Sequence, residues 1–316
     1  MKVAVIDMGT NTFHLMIVEI HEGGFTFLHR ERNPVKIGEN GINEGYISEA
    51  AMERAKKAIL AFKVIIDSHQ VDQIKATATS AIRNAKNGSK LALEIEALTG
   101  IKIRIISGLE EAELIYFGVQ QALDIGDKPA LIMDIGGGSI EFVIGTGEKI
   151  LWKQSFEIGG QRLLERFHRT DPITDLEVHS LNHYLDSELQ ELVRQAEKFS
   201  PSALIGSSGT FDTLSDIYLQ STGAEKGDHT TEFPLTYEAF QSIYNALTST
   251  DRAGRLAIPG MIPMRVDMIV VASILVRYVL ERLNLREIRV SAYALKEGVL
   301  LHSIKNQVGI SPEVES

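Results

Sequence analysis

The chain has no cysteine, a single tryptophan, only 8 prolines in 316 residues and no surplus of basic side chains. Without cysteine there are no disulfides, no thiolate nucleophile and no cysteine-ligated metal, a composition that fits a reducing cytoplasm. Lysine and arginine number 32 against 42 aspartates and glutamates, a net charge of −10. That balance argues against nucleic acid or an anionic membrane as partner, because both select a basic surface. Long apolar runs are missing as well. Val3 to Ile6 is cut short by Asp7, too early for a signal-peptide core, and Met268 to Leu280 is interrupted by Arg277. The latter falls short of the ~20 apolar residues of a spanning helix and predicts a buried helix instead. Familiar chemical signatures are lacking too: no Gly-x-x-x-x-Gly-Lys-Ser/Thr loop, no Gly-x-Gly-x-x-Gly fingerprint and no Gly-x-Ser-x-Gly elbow. His179 and His183 have i, i+4 spacing, but Ser180 between them breaks the zinc-protease pattern and predicts a solvated face.

What is present is an ordinary globular composition, 44% hydrophobic and 23% charged, in a chain long enough for two domains. Residues 1–124 carry 14 basic and 16 acidic side chains, the remainder 18 and 26, so a polyanionic ligand should favour the first half or a local pocket. The first half also has an echo. Val3 to Ile6 leads into Asp7-Met8-Gly9-Thr10-Asn11-Thr12 and a second apolar stretch, the pattern of a hairpin with a small-residue turn. Ala130 to Met133 leads into Asp134-Ile135-Gly136-Gly137-Gly138-Ser139 and another apolar stretch, which maps Asp7 onto Asp134, Gly9 onto Gly136 and Thr12 onto Ser139. A second pair supports the duplication: Ile74–Thr77 running into Ala78-Thr79-Ser80, and Leu204–Gly206 running into Ser207-Ser208-Gly209-Thr210. Strands alternate with helical segments elsewhere, which predicts an α/β protein. Helices are expected at Ser48–Ser68, Ser107–Leu123, Thr174–Ala196 and Met264–Leu283, and a strand at Glu287–Ser291. The turn Asp124–Pro129 predicts a boundary between domains 1–124 and 125–316, with the last helix free to pack back on the first. The tail after Gln307 is expected to fray.

Glycine-rich turns between strands expose successive backbone N–H groups and admit phosphate oxygens where no Cβ intervenes. Four such loops, with hydroxyls at Thr10, Thr12, Ser139 and Thr210, point to a phosphate ligand. Asp7 and Asp134 end apolar strands, where a carboxylate can hold magnesium through water, and Glu141 on the return strand is a further candidate for the same metal. Ser107-Gly108-Leu109-Glu110 fits a capping box, which gives Glu110 a structural task and leaves Glu111 as the candidate base or water-orienting residue. Arg83 lies one turn into the helix after Thr79-Ser80, within reach of an anion at that helix N-terminus.

Together, Ile6–His14, Ala78–Asn84, Ser107–Ala112, Asp134–Glu141 and Gly206–Thr210 resemble the exopolyphosphatase/guanosine pentaphosphate phosphohydrolase (Ppx/GppA) family, in order over about residues 3–302. That family belongs to the superfamily of actin, sugar kinases and heat-shock ATPases. The resemblance implies two ribonuclease-H-like domains flanking a cleft and magnesium- or manganese-dependent hydrolysis of a terminal phosphoanhydride, in polyphosphate or in guanosine penta- or tetraphosphate. By motif it places the catalytic glutamate on Glu111 and metal-associated acids on Asp134 and Glu141. Phosphate binding falls on Gly9, Thr10, Asn11, Thr12, Arg83, Gly136, Gly137, Gly138, Ser139, Ser208, Gly209 and Thr210. The sequence departs from the family pattern at Ile140, where threonine is usual, at Met264-Arg265-Val266-Asp267, which lacks the glutamate that often precedes this arginine, and at Lys296, where arginine is usual. These departures bear on distal substrate contacts. The chain resembles the short members, without the extra C-terminal helical domains of their longer relatives. Two other readings remain open at this stage: an ATP-dependent kinase of the same superfamily, and a regulator that binds alarmone or polyphosphate without turnover. Whether the chain forms a homodimer is also open.

Overall fold

The computed structural model describes residues 1–308 apart from Gly23, Asp228 and His229, with backbone alone at 305–308; the rest of the tail, where fraying is expected, lies outside the described residues. In chain order the first elements are β1 (Lys2–Met8), β2 (Phe13–His21), β3 (Gly24–Asn33), α1 (Glu49–Ser68), β4 (Gln73–Ala78), α2 (Ser80–Asn84), α3 (Gly88–Thr99), β5 (Ile103–Ile105) and α4 (Gly108–Ala122). There follow β6 (Ala130–Ile135), β7 (Ile140–Gly145), β8 (Ile150–Phe156), α5 (Gly160–Phe167), α6 (Asp175–Glu188), α7 (Gln190–Phe199), β9 (Ala203–Ser207) and α8 (Ser208–Thr222). The chain closes with β10 (Glu232–Phe233), α9 (Tyr237–Ser249), α10 (Arg252–Leu256), α11 (Met268–Arg282), β11 (Glu287–Ser291) and α12 (Leu295–Val308).

Two compact units emerge: Met1–Gly118 with the C-terminal segment from Tyr293, and Val119–Ala292. The first unit carries a five-stranded sheet in the order β3-β2-β1-β4-β5. Its first three strands form an antiparallel meander, and β4 and β5 run parallel to β1. The second unit repeats this plan. Its sheet runs β10-β11-β9-β6-β7-β8, with β6, β7 and β8 a meander, β9 parallel to β6, and β11 parallel to β9. The duplication read from two aspartate-glycine turns is thus a duplication of sheet topology, with β10 added at one edge.

Each sheet is covered by apolar helix faces, the arrangement expected where strands are buried on both sides. Ser48 caps α1, its hydroxyl accepting from the Ala51 N–H, and Ala51, Ala55, Ile59, Phe62 and Ile66 bury one face of that helix in the first core. The second core takes nearly every apolar residue of α11, the most apolar segment of the sequence. That helix starts at Met268, because Met264–Asp267 is occupied by a turn. Among the described residues, no helix is long and apolar enough to cross a membrane.

The change of unit falls inside α4, ahead of the turn at 124–129. The last turn of α4 and the residues just after it belong to the second unit and are bonded within it: Gln120 Nε2 donates to Gly147 O, Thr231 Oγ1 to Ala122 O, and Arg289 Nη1 to Asp124 O. The body of α4 is held in the first unit by α12. A Cβ on Gly118 would come within 2.2 Å of Ala294 O, and one on Gly298 within 1.8 Å of Leu114 O, so the two backbones touch where only glycine fits.

The expected helix 174–196 is two helices. α6 begins with a full capping box between Thr174 and Glu177, and the chain leaves helical geometry at Leu189 (φ −101°, ψ 17°) before α7. Leu181, Leu185 and Leu189 are buried along α6 and at its end, and Leu192, Val193 and Ala196 are buried on α7.

Candidate active site

In the first unit, Asp7 sits opposite His14 on β2 and Thr77 on β4. The loop after it, Gly9 to Thr12, is braced by the segment behind it: Lys36 N–H donates to Asn11 O at 2.8 Å and Gly38 N–H to Thr10 O at 3.2 Å. A Cβ on Gly9 would lie 2.9 Å from Thr12 O, so the tightness of this turn requires glycine. Thr10 and Thr12 are buried in it.

Arg83 and Glu111 come together in the same unit. Arg83 Nη1 donates to Glu111 Oε2 at 2.7 Å and to Ile106 O at 3.2 Å, and both side chains are largely buried. Ile106 N–H in turn donates to Ala78 O, tying the start of α4 to the end of β4. Ser107 caps α4 as expected, accepting from the Glu110 N–H. The reciprocal half of the capping box is not made. Glu110 turns its carboxylate to Arg104, whose opposite charge outcompetes a single backbone N–H. Glu110 is occupied at the surface, and Glu111 points inward with Arg83.

The second unit carries the glycine loop of β6 and β7. Gly136 N–H closes the turn on Ser139 O at 3.1 Å. The carbonyls of Gly136, Gly137 and Gly138 accept from the N–H groups of Gly160, Gln161 and Gly159, and Gly138 O also accepts from Arg162 Nε. Burial lowers the Arg162 guanidinium from its ordinary value, with Glu157 opposing. Among the described residues the N–H groups of Gly137, Gly138 and Ser139 donate no hydrogen bond, so the loop has its acceptors tied down and three successive donors available. That is the composition of an anion nest. Gly159 is indispensable to the packing: a Cβ there would lie 2.5 Å from backbone atoms of Gly137 and Gly138.

Asp134 lies opposite Glu141 across the hairpin and beside Ser207 on β9. Its Oδ2 accepts from Ser207 Oγ at 2.7 Å and Ser208 Oγ at 2.6 Å. Glu141 Oε1 accepts from Ser139 Oγ at 2.8 Å and Ser155 Oγ at 2.7 Å. Ser208 occupies the left-handed region at φ 66°, a strained conformation for a residue with a side chain and one that recurs at functional turns. Thr210 is fully buried at the start of α8, and its hydroxyl makes no hydrogen bond among the described residues. Gly209 lies directly against the Arg265 guanidinium, so close that a Cβ would come within 1.8 Å of Nη2.

The structure therefore gathers Gly9–Thr12, Asp7, Arg83 and Glu111 in one unit, and Gly136–Ser139, Asp134, Glu141 and Ser208–Thr210 in the other. His179 and His183 are exposed on α6. The reading from sequence did not single out Gly159, Arg162 or Ser155, and named Arg265 only as the arginine of the Met264–Asp267 segment that departs from the family pattern. The Gly159-Gly160 pair just after a strand was the available signal for the first of these.

Two copies of one sheet topology, each with a glycine turn and an aspartate at the same place, define an α/β protein built to handle phosphate. The comparisons agree. A model of the Ppx/GppA phosphatase family matches residues 16–307. Exopolyphosphatase 2 of Mycobacterium tuberculosis is 29% identical over 314 residues, covering 95% of this chain and 98% of that protein. The crystal structure of an exopolyphosphatase from Cytophaga hutchinsonii has a TM-score of 0.94 and 43% identity, covering 97% of this chain and 98% of that one. The Aquifex aeolicus member of the Ppx/GppA family has a TM-score of 0.80 and 25% identity over 97% and 98%. The chain belongs to the Ppx/GppA phosphatase family.

Proposed function

We propose that this phosphatase removes the terminal phosphate of inorganic polyphosphate by attack of water. The observation that carries the reading is the loop Gly136–Ser139, whose three donors have no use inside the described protein and suit the charge of a phosphoryl group. Glu111 takes the proton of the attacking water as the water oxygen bonds to the terminal phosphorus. The anhydride P–O bond breaks, and inorganic phosphate leaves a chain one unit shorter. Arg83 orients Glu111 and adds positive charge beside it. The loops Gly9–Thr12 and Ser208–Thr210, with Arg265, supply further donors to phosphate oxygens.

A divalent cation fits the second unit's acids. Asp134 and Glu141 face one another as hard oxygen donors, each oriented by two serine hydroxyls as metal-binding carboxylates commonly are. Among the described residues no three acidic or histidine side chains form a cage, which suits magnesium, an ion that keeps waters and takes phosphate oxygens. Magnesium or manganese held there would neutralise charge on the phosphates. Asp7 is the metal-associated acid proposed in the first unit. Phosphate release from polyphosphate, guanosine pentaphosphate and ATP tests the reading. Release from polyphosphate supports it, and transfer from ATP to an acceptor with none from polyphosphate would replace it with a kinase.

A further inference from the structure

Among the described residues the largest fully buried side chain is an arginine, Arg255 on α10, with 1% of its surface exposed. It spans three separate segments. Nη1 donates to Asp171 Oδ1 at 2.7 Å and to Thr250 O at 2.6 Å, while Nε donates to Val266 O at 3.0 Å. The other oxygen of Asp171 accepts from the Arg252 N–H at 2.7 Å, and Arg252 Nε reaches Asp267 Oδ1 at 3.1 Å. Residues 266 and 267 are thereby fixed from two sides, and the residue just before them is Arg265. Its own backbone is held in the same turn, N–H to Ile262 O and O to Ile269 N–H. Only the arginine of this ion pair is buried, Asp171 keeping 36% of its side chain exposed, and desolvating the guanidinium offsets much of the attraction, so the pair is a poor device for stability. What it supplies is one defined arrangement of the groups it joins. Here the group so placed is the Arg265 guanidinium on Gly209.

We propose that Arg255 and Asp171 are positioning residues for Arg265. They form a clamp that holds the 262–267 turn so that the Arg265 guanidinium stays on the Ser208–Thr210 loop and binds a phosphate of the substrate. The inference rests on the reading of that loop as a phosphate site. Lysine cannot replace Arg255 in this role, because a single ammonium lacks the planar fork that serves an Nε acceptor and an Nη acceptor together.

The test is a cycle of R255K, R265A and the double variant, with D171N as a second way to loosen the clamp, each checked for folding by circular dichroism. R265A removes a charged contact made equally to bound substrate and transition state, so KM for polyphosphate should rise about tenfold or more with kcat nearly kept. R255K and D171N should raise KM in the same sense, and R255K/R265A should match R265A alone, because the clamp acts through Arg265. Multiplying effects in the double variant would overturn the proposal. Hydrogen exchange on R255K gives a reading independent of turnover. Faster exchange in both 262–269 and 207–213 supports the clamp, and a change confined to 250–256 contradicts it. If the wild-type protein releases no phosphate from polyphosphate, the functional reading falls while the exchange data still decide the clamp.

Discussion

Arg83 and Glu111, 28 residues apart in sequence, form an ion pair at 2.7 Å with both side chains largely withdrawn from solvent. The arginine belongs to the short helix after β4 and the glutamate to the first turn of α4, so the pair joins the two elements that follow neighbouring strands. It also gives Arg83 a task different from that of a simple phosphate ligand. One nitrogen is committed to Glu111 and to Ile106 O, and the arginine therefore sets where the glutamate's carboxylate points. R83A should lower kcat by removing that orientation and the positive charge beside a nearly buried carboxylate. Combined with E111Q it should do little further damage, since residues acting as a unit are strongly non-additive. Steady-state rates of the two single variants and the double variant decide this, and independent, multiplying losses would separate the two roles.

Gly159 supports the Gly136–Ser139 loop, the proposed phosphate site, from behind. Its Cα packs on the peptides of Gly137 and Gly138, where a Cβ would meet backbone atoms rather than a side chain that can swing aside. G159A should therefore distort the loop, lower the melting temperature and weaken polyphosphate binding together. A variant with wild-type KM and melting temperature would show that the loop yields without consequence.

Metal removal should abolish turnover, and magnesium or manganese should restore it, because Asp134 and Glu141 are held by serine hydroxyls in a form suited to a hard cation. D134N should raise the metal concentration needed for half-maximal rate. Full turnover after exhaustive chelation would rule out a metal role for these acids.

Glu177 gives the fold a pH dependence away from the chemistry. Burial pushes its carboxyl up, but hydrogen bonds from the Thr170 hydroxyl, the Thr174 N–H and hydroxyl and the Arg169 N–H outweigh that and hold it down at about 2. A carboxyl lower in the folded than the unfolded chain stabilises above its unfolded value of 4.5 and loses that contribution as pH falls toward about 2. E177Q should accordingly be less stable than wild type at pH 7, and the gap should shrink steadily from about pH 5 downward. Denaturant midpoints across that range measure it; a gap independent of pH would mean that the carboxylate charge is not what Glu177 contributes.

Much of this was legible in the residue order. The aspartate–glycine hairpins announce themselves because a strand must end in a turn that only small residues can make, and their repetition gave the doubled sheet. The Glu110–Glu111 distinction followed from local capping, although Glu110 spends its carboxylate on Arg104. What local pattern could not show were pairings set by the tertiary fold. Nothing near Arg83 names Glu111 as its partner, nothing near Arg255 announces burial, and Gly159 is one glycine among 26 until the backbone it touches is known. The break at Leu189 has no glycine or proline to mark it.

The proposed mechanism assigns the proton chemistry of phosphate release to Glu111 and none of it to its neighbour Glu110. Steady-state phosphate release from polyphosphate by wild type, E111Q and E110Q tests it directly. E111Q should fall by about 10²–10⁴-fold with substrate binding retained, the usual range for loss of a general base, and E110Q should stay near wild type. An active E111Q beside an inactive E110Q would contradict the account.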